Sequence, residues 1–76
     1  MARVEIEYCV PCGYRNRALQ VAEGVLAGLE TELDECRLTM GDHGVFVVRL
    51  DDEVVFDVSE DEFDVDAIVR TVRRAL

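Results

Sequence analysis

A Cys-Val-Pro-Cys motif at residues 9–12 lies between two segments of different periodicity, and this junction most constrains the fold. Before it, residues 3–8 alternate between apolar and polar side chains, which predicts a strand with one buried face. After it, from about residue 14 to residue 30, apolar residues recur at helical spacing, which predicts a helix that covers a sheet. The two thiols are therefore expected where a strand ends and a helix begins.

This position suits redox chemistry of the cysteine pair. Unpaired N–H groups and the positive end of the helix dipole favour a thiolate, and two cysteines at this spacing can close a small disulfide. Pro11, the only proline, is expected to set the first helical turn, where its missing N–H costs nothing. We predict Cys9 and Cys12 as catalytic residues, with Cys9 an exposed nucleophile at the strand end and Cys12 one turn into the helix, partly covered and resolving.

The rest of the chain completes one domain over residues 1–76. Periodicity and turn residues predict three more strands and a second helix that is capped by Asp64: the strands are 36–40, 45–50 and 53–58, the last two forming a hairpin closed at 51–52. The order is β-α-β-β-β-α. A crossover helix makes the first two strands parallel, and the first strand has only one apolar face. This predicts an α/β (α+β) two-layer sandwich with a mixed four-stranded sheet and both helices on one face.

A zinc site is the strongest alternative, because Cys9, Cys12, Cys36 and His43 would make a Cys₃His set. The parallel crossover argues against it, since it places Cys36 at the opposite edge of the sheet, roughly 15–20 Å away at strand rise. We therefore predict no metal and no cofactor, and expect Cys36 to be a small buried residue. An inert, structural cysteine pair is the other alternative.

Three residues near the motif are candidates for tuning the thiols. The second strand should return His43 to the edge where the cysteines lie, either beside a thiolate or as an exposed turn residue. Tyr14 is expected either to shield the disulfide or to pack in the core. Arg15 would favour the thiolate by its charge, although solvent screens it.

The hairpin strands carry apolar residues on both faces. Alternation assigns one set to the core and leaves three valines on the uncovered face; the core set is Phe46, Val48, Leu50, Val54, Phe56 and Val58, and the uncovered valines are Val45, Val47 and Val55. A contiguous apolar patch of this kind is typical of an interaction surface. The chain is accordingly expected to be a monomer or a weak homodimer.

The charge balance narrows the choice of partners. Seventeen acidic residues and eight basic ones give a net charge of −9, and lysine is absent, which suggests a halophilic source. Nine acidic residues and no arginine between positions 51 and 66 argue against a nucleic-acid partner. No apolar run approaches a membrane span and no signal segment opens the sequence, so we expect a cytoplasmic protein with no membrane partner.

Two stretches together resemble one protein family. Residues 8–14, Tyr-Cys-Val-Pro-Cys-Gly-Tyr, look like the opening of the selenoprotein W-like (Rdx) family, and residues 44–48 with the acidic turn at 51–53 look like its Gly-x-Phe-x-Val strand and hairpin. The resemblance spans nearly the whole chain. It implies a thioredoxin-like fold and thiol–disulfide exchange with a protein or low-molecular-weight partner. A non-catalytic, thioredoxin-like interaction module is the alternative.

Overall fold

Four strands and two helices follow one another in the predicted order over residues 2–76, which the computed structural model describes. The elements are β1 (Arg3–Cys9), α1 (Arg15–Leu29), β2 (Glu35–Gly41), β3 (Phe46–Leu50), β4 (Glu53–Asp57) and α2 (Val65–Ala75), with one short 3₁₀ turn (Glu30–Glu32) after α1. Asp64 caps α2 as expected, since its carboxylate accepts the Ala67 N–H at 3.3 Å. Within residues 2–76, neither helix is long and apolar enough to cross a membrane.

The strands form one mixed sheet in the order β2-β1-β3-β4. β1 runs parallel to β2, from the Arg3–Glu35 pair to the Cys9–Gly41 pair, and antiparallel to β3. The β3–β4 hairpin turns at Asp51 and Asp52, whose φ values of 51° and 72° match the left-handed conformation that a two-residue turn requires. The predicted parallel crossover and antiparallel hairpin are both confirmed.

Both helices pack on the same face of the sheet. The core residues are Val4, Ile6 and Tyr8 of β1, Ala18, Val21, Val25 and Leu29 of α1, Phe46, Val48 and Leu50 of β3, Phe56 of β4, and Ile68 and Val72 of α2. Every one of these side chains is apolar or aromatic, so burial of apolar surface drives the assembly of the two layers. The two-layer sandwich predicted from the sequence is confirmed.

The facing of two β4 valines was predicted wrongly. The register shifts between Val48 and Arg49, where a β-bulge places Arg49 opposite Val54. Val54, expected in the core, is 51% exposed, whereas Val55, expected on the open face, packs against the core. One extra residue in a strand reverses the facing of the residues beyond it, and simple alternation does not anticipate this.

The open face of the sheet carries a charge network where an apolar patch was expected. Nη1 of Arg49 lies 3.2 Å from a carboxylate oxygen of Glu5 and 3.0 Å from one of Glu7. Thr39 donates its hydroxyl to Glu5 at 2.8 Å, and this bond together with the nearby arginines holds the pKa of Glu5 below its usual range. Val47 is buried, at 7% exposure, and Val45 is half-buried. The three valines therefore form no exposed patch, which removes the argument for a homodimer through this face.

Candidate functional site: a cysteine pair at the end of β1

The two cysteines occupy the last position of β1 and the turn that follows it. α1 begins only at Arg15, with Tyr14 as its N-cap, so Cys12 precedes the helix and the prediction that it lies one turn inside is wrong. Pro11 likewise belongs to the turn and does not set the first turn of the helix. Gly13, with φ 76°, reverses the chain before α1 in a conformation that side chains rarely adopt.

Cys9 and Cys12 form a disulfide, with their Cα atoms 5.3 Å apart, inside the normal range for such bonds. Their exposure is opposite to the prediction: Cys9 is completely buried, whereas Cys12 is exposed. Cys12 is therefore the member of the pair that lies at the surface, and an external reactant is expected to meet the site there.

The β2–β3 turn is hydrogen-bonded to the end of β1 at Cys9. The Cys9 N–H donates to the Val45 carbonyl at 2.7 Å, and the Val10 N–H donates to the Gly41 carbonyl at 3.2 Å. Gly41 permits this close approach, because a Cβ at that position would lie only 2.8 Å from Cγ1 of Val45. Residues far along the chain thus pair with the end of β1 at Cys9, and no local pattern around the motif signals this.

The N-terminus of α1 is electrostatically suited to a nearby thiolate. Tyr14 makes no side-chain capping bond, and the first turn of α1 contains no acidic residue. The unpaired N–H groups and the positive end of the helix dipole are therefore not offset by a carboxylate of the helix itself. Cys12 lies two residues before this N-cap, so the sequence-based argument for a favoured thiolate applies to Cys12.

His43 and Arg15 lie at the same end of the molecule as the cysteines. His43 sits in the β2–β3 turn with φ 61°, and its exposed ring nitrogen Nδ1 is 2.6 Å from Oδ1 of Asp42. The partner of this imidazole is thus a carboxylate in its own turn. Arg15 is exposed and lines a shallow cavity beside the loop. For both residues, an influence on the thiols stays a prediction.

Tyr14 belongs to an aromatic cluster next to the loop. Its ring stacks on Phe46 at 5.3 Å between centroids, and Phe63 contacts Phe46 from the segment before α2 at 5.7 Å. The guanidinium of Arg17 lies 5.7 Å from the Tyr14 ring and 5.1 Å from the Phe63 ring. These contacts support the packing interpretation of Tyr14. The contact of Arg17 with Phe63 was not predicted, since nothing in the local pattern pairs the two residues.

Cys36 is remote from the pair, as the topology predicted. It lies opposite Val4 near the start of β1, whereas Cys9 lies opposite Gly41 at the other end of the same ladder. Cys36 is half-buried, and burial raises the pKa of its thiol. Residues 2–76 bring together no group of three cysteine, histidine or acidic residues in a metal-binding arrangement.

Comparison with known proteins gives consistent results. The model of the Rdx family matches residues 3–74. A protein of known crystal structure from Bordetella parapertussis is similar over 99% of this chain and 98% of its own, with 27% identity and a TM-score of 0.90. The selenoprotein W-related protein from Vibrio cholerae aligns over 97% and 95% of the two chains with 18% identity and a TM-score of 0.89, a likeness of fold. Comparison with curated proteins finds no significant match.

Proposed function

The chain belongs to the Rdx family, and we propose that it is a thiol–disulfide oxidoreductase that acts through Cys9 and Cys12. The observation that carries the proposal is the geometry of the pair. Cys12 is exposed, and Cys9, to which it is bonded, is completely buried. This division of accessibility suits a two-step exchange, in which one thiol meets the substrate and the second resolves the product.

The first step belongs to Cys12, which reverses the roles expected from the sequence. In the reduced protein the Cys12 thiolate attacks one sulfur of a substrate disulfide. A Cys12–substrate bond forms, the substrate disulfide breaks, and the departing sulfur takes up a proton as a thiol. Cys9 is completely buried, so external attack by Cys9 is opposed by lack of access.

The second step is intramolecular. The Cys9 thiol loses its proton and attacks the Cys12 sulfur, forming the Cys9–Cys12 disulfide and releasing the second substrate thiol. The substrate gains two electrons and the protein loses them. Exchange in the opposite direction with a dithiol of protein or low molecular weight resets the pair.

A trapping experiment tests this assignment. In a Cys36→Ser background, the reduced Cys9→Ser variant should hold a stable mixed disulfide at Cys12 after exposure to glutathione disulfide, because the resolving thiol is missing. The matched Cys12→Ser variant should form little adduct, because its remaining thiol is buried. Intact mass spectrometry measures both. Equal adduct in the two variants would contradict the role assignment.

Alkylation of the reduced wild type supplies an independent measure. Iodoacetamide should modify Cys12 at least about tenfold faster than Cys36 near neutral pH, as expected for a thiol that is both exposed and partly ionised. A Cys12 that reacts no faster than Cys36 would favour the alternative, a non-catalytic interaction module with a thioredoxin-like scaffold.

The role of His43 is a separate proposal. An imidazolium near Cys12 would stabilise its thiolate, so His43→Ala should slow disulfide exchange near neutral pH while leaving the fold intact. Asp42→Asn, which removes the carboxylate bound to the ring, is the matched control. Histidine NMR titrations that superimpose in the reduced wild type and in Cys12→Ser would show that the two groups do not interact.

Two predictions from composition remain, namely a cytoplasmic location and a high-salt habitat of the source. The second predicts that the melting temperature rises as potassium chloride is added, because screening relieves repulsion within a chain of net charge −9. A melting temperature that stays flat up to molar salt would contradict it.

A further inference from the structure

Five exposed apolar side chains lie on one flank of the molecule. We name them the β2–α1 strip: Val10 (50% exposed), Leu19 (47%), Leu26 (39%), Leu38 (41%) and Met40 (74%). Leu38 and Met40 lie in register with the buried residues Ile6 and Tyr8 of β1. They therefore belong to the core-facing row of the sheet, yet the helices leave them uncovered.

The packing of the helices explains this exposure. α1 contacts α2 through the side that carries Gly24, where a Cβ would lie 3.0 Å from Cγ1 of Val65. Leu19 and Leu26 are rotated from Gly24 by roughly 140–160° around a helix of 3.6 residues per turn. They consequently lie on the flank away from α2, toward β2, which is the strand at the edge of the sheet. Two helices thus leave the outermost strand without a complete cover.

The edge of β2 next to the strip is unpaired. Within residues 2–76, this seven-residue strand pairs with β1 alone, so its other edge presents free backbone N–H and C=O groups. A free edge with apolar side chains beside it is the arrangement that accepts an extended peptide as an additional strand. The backbone supplies hydrogen bonds, and the strip supplies contacts for alternate side chains of the peptide.

The strip continues to the cysteine loop. Met40, at the end of β2, and Val10, within the motif, line one shallow cavity of about 380 Å³ together with Tyr8, Gly13, Arg15 and Asn16. Val10 and Gly13 flank the exposed Cys12 in sequence. A peptide that pairs along β2 would therefore extend toward the reactive sulfur.

We propose that the free edge of β2 and the β2–α1 strip bind an extended segment of a protein substrate, which brings the substrate sulfur to Cys12. This inference rests on the proposed function. The segment that fits has apolar residues alternating with basic ones, because alternate side chains of a strand face the strip. Glu23 and Glu30 line one cavity with Leu19 and Leu26, and the chain carries a net charge of −9, which favours the basic residues. A second copy of this chain fits poorly, since each copy carries a net charge of −9.

Peptide disulfides of defined sequence test the proposal. The first probe is a short peptide of alternating valine and lysine that ends in a cysteine blocked by thionitrobenzoate, and the second replaces each valine by glycine. Cys12 of the reduced Cys9→Ser, Cys36→Ser protein attacks the peptide sulfur, and the released thionitrobenzoate anion is followed by its absorbance. The valine peptide should react about tenfold faster than the glycine peptide, a difference typical of a few apolar contacts.

The ratio of these two rates isolates docking from chemistry. In the Leu38→Ser, Met40→Ser variant the ratio should fall to about one. Val54→Ser, which changes an exposed valine on the opposite edge strand, should retain the parental ratio. An unchanged ratio in both variants overturns the docking site and leaves the proposed function standing. Failure of Cys12 to react with either peptide overturns the proposed function itself.

Two further measurements distinguish the occupant. In the mixed disulfide with the valine peptide, hydrogen exchange of β2 amides should slow relative to the glycine adduct, since the free edge becomes paired. Unaltered exchange would overturn the strand-pairing geometry. A concentration-dependent dimer in sedimentation experiments that is lost in the Leu38→Ser, Met40→Ser variant would assign the strip to a second copy and overturn the substrate proposal.

Discussion

The two faces of the sheet are built from the same strands but are stabilised by different forces. On the face toward the helices, Ile6, Phe46 and Val48 are completely buried among apolar neighbours. On the open face, Glu5 and Arg49 are about a quarter exposed and bound to each other. Alternate residues of one strand thus experience a dry core and a wet ion-pair network only one side chain apart.

The side chains of the two faces contribute different amounts to the free energy of unfolding. Removal of a buried aromatic ring leaves a cavity and exposes apolar area, at a cost of about 3–5 kcal/mol. Partly exposed ion pairs contribute about 0–1 kcal/mol, since solvent screens them and the unfolded charges are well hydrated. The covered face should therefore determine stability, and the open face should determine how stability varies with salt and pH.

The largest expected effect is at Phe46, whose ring contacts those of Tyr14, Phe56 and Phe63. Phe46→Ala should lower the free energy of unfolding by about 3–5 kcal/mol, measured by urea denaturation of the oxidised protein. The loss should be the same in dilute and in molar salt. Phe46→Leu, which keeps most of the apolar volume, should cost less than half as much, and a loss below about 1 kcal/mol for Phe46→Ala would contradict the central position of this ring.

The β-bulge gives a matched pair of substitutions across the two faces. Val55→Thr should cost about 1–2 kcal/mol, because it buries a hydroxyl against the core, whereas Val54→Thr should change stability by less than about 0.5 kcal/mol. Both residues are valines in the same strand, so strand propensity cancels in the comparison. Thermal or urea denaturation of the two variants measures the difference. A larger loss of stability for Val54→Thr than for Val55→Thr would indicate that the side chains of β4 alternate without a bulge.

A smaller effect is expected at Arg49, which lies between Glu5 and Glu7. Arg49→Met keeps the aliphatic stem but leaves the two carboxylates without their shared cation, and it should cost about 1 kcal/mol in dilute buffer. The cost should shrink in molar potassium chloride as the charges are screened. Arg70→Met on the exposed side of α2 serves as the control. A salt-independent cost at Arg49 would show that packing of the stem, and not charge, is lost.

The smallest effect concerns pH. The hydroxyl of Thr39 and the nearby arginines lower the pKa of Glu5 in the folded protein from an ordinary value of 4.5. The unfolded chain therefore binds the proton more tightly, so this contribution to stability is present above pH 4.5 and is lost as the pH falls through the lower folded value. Glu5→Gln should remove this part of the pH dependence, by less than about 1 kcal/mol.

Urea denaturation at several acidic pH values, in parallel for the wild type and Glu5→Gln, measures that difference. Glu53→Gln in the same sheet provides a control for the general loss of one negative charge. If the wild type and Glu5→Gln lose stability in parallel on acidification, the network around Glu5 does not contribute in the proposed manner.

Local periodicity predicted the elements well because it is a local property. The predicted first strand and the two predicted helices agree within a few residues with Arg3–Cys9, Arg15–Leu29 and Val65–Ala75. Alternation and helical spacing are patterns over a few neighbouring positions, so they are visible in the sequence. The facing of β1 was also predicted, as its apolar row is regular. The prediction was wrong where a bulge interrupts the register near Val54, because no glycine or proline in the sequence marks it.

At the cysteine site, too, the local features were predicted and the burial was not. The sequence identified the pair and its place at the junction of β1 and α1, but it assigned the exposed sulfur to Cys9. Cys9 is completely buried, and the turn around Gly41 and Val45 is hydrogen-bonded to the end of β1 at this point. That contact joins residues more than thirty positions apart, and a motif of four residues contains no information about it.

The sequence by itself determined the order of elements, the parallel and antiparallel pairings and the place of the cysteine pair, because these follow from side-chain periodicity, turn residues and chain connectivity. Only the tertiary structure decided which sulfur faces solvent, which valines of the hairpin face the core, and that charges cover the open side of the sheet. Each of these depends on which distant residues come to lie over a given side chain. Burial is a property of the packed whole, whereas periodicity belongs to the local chain.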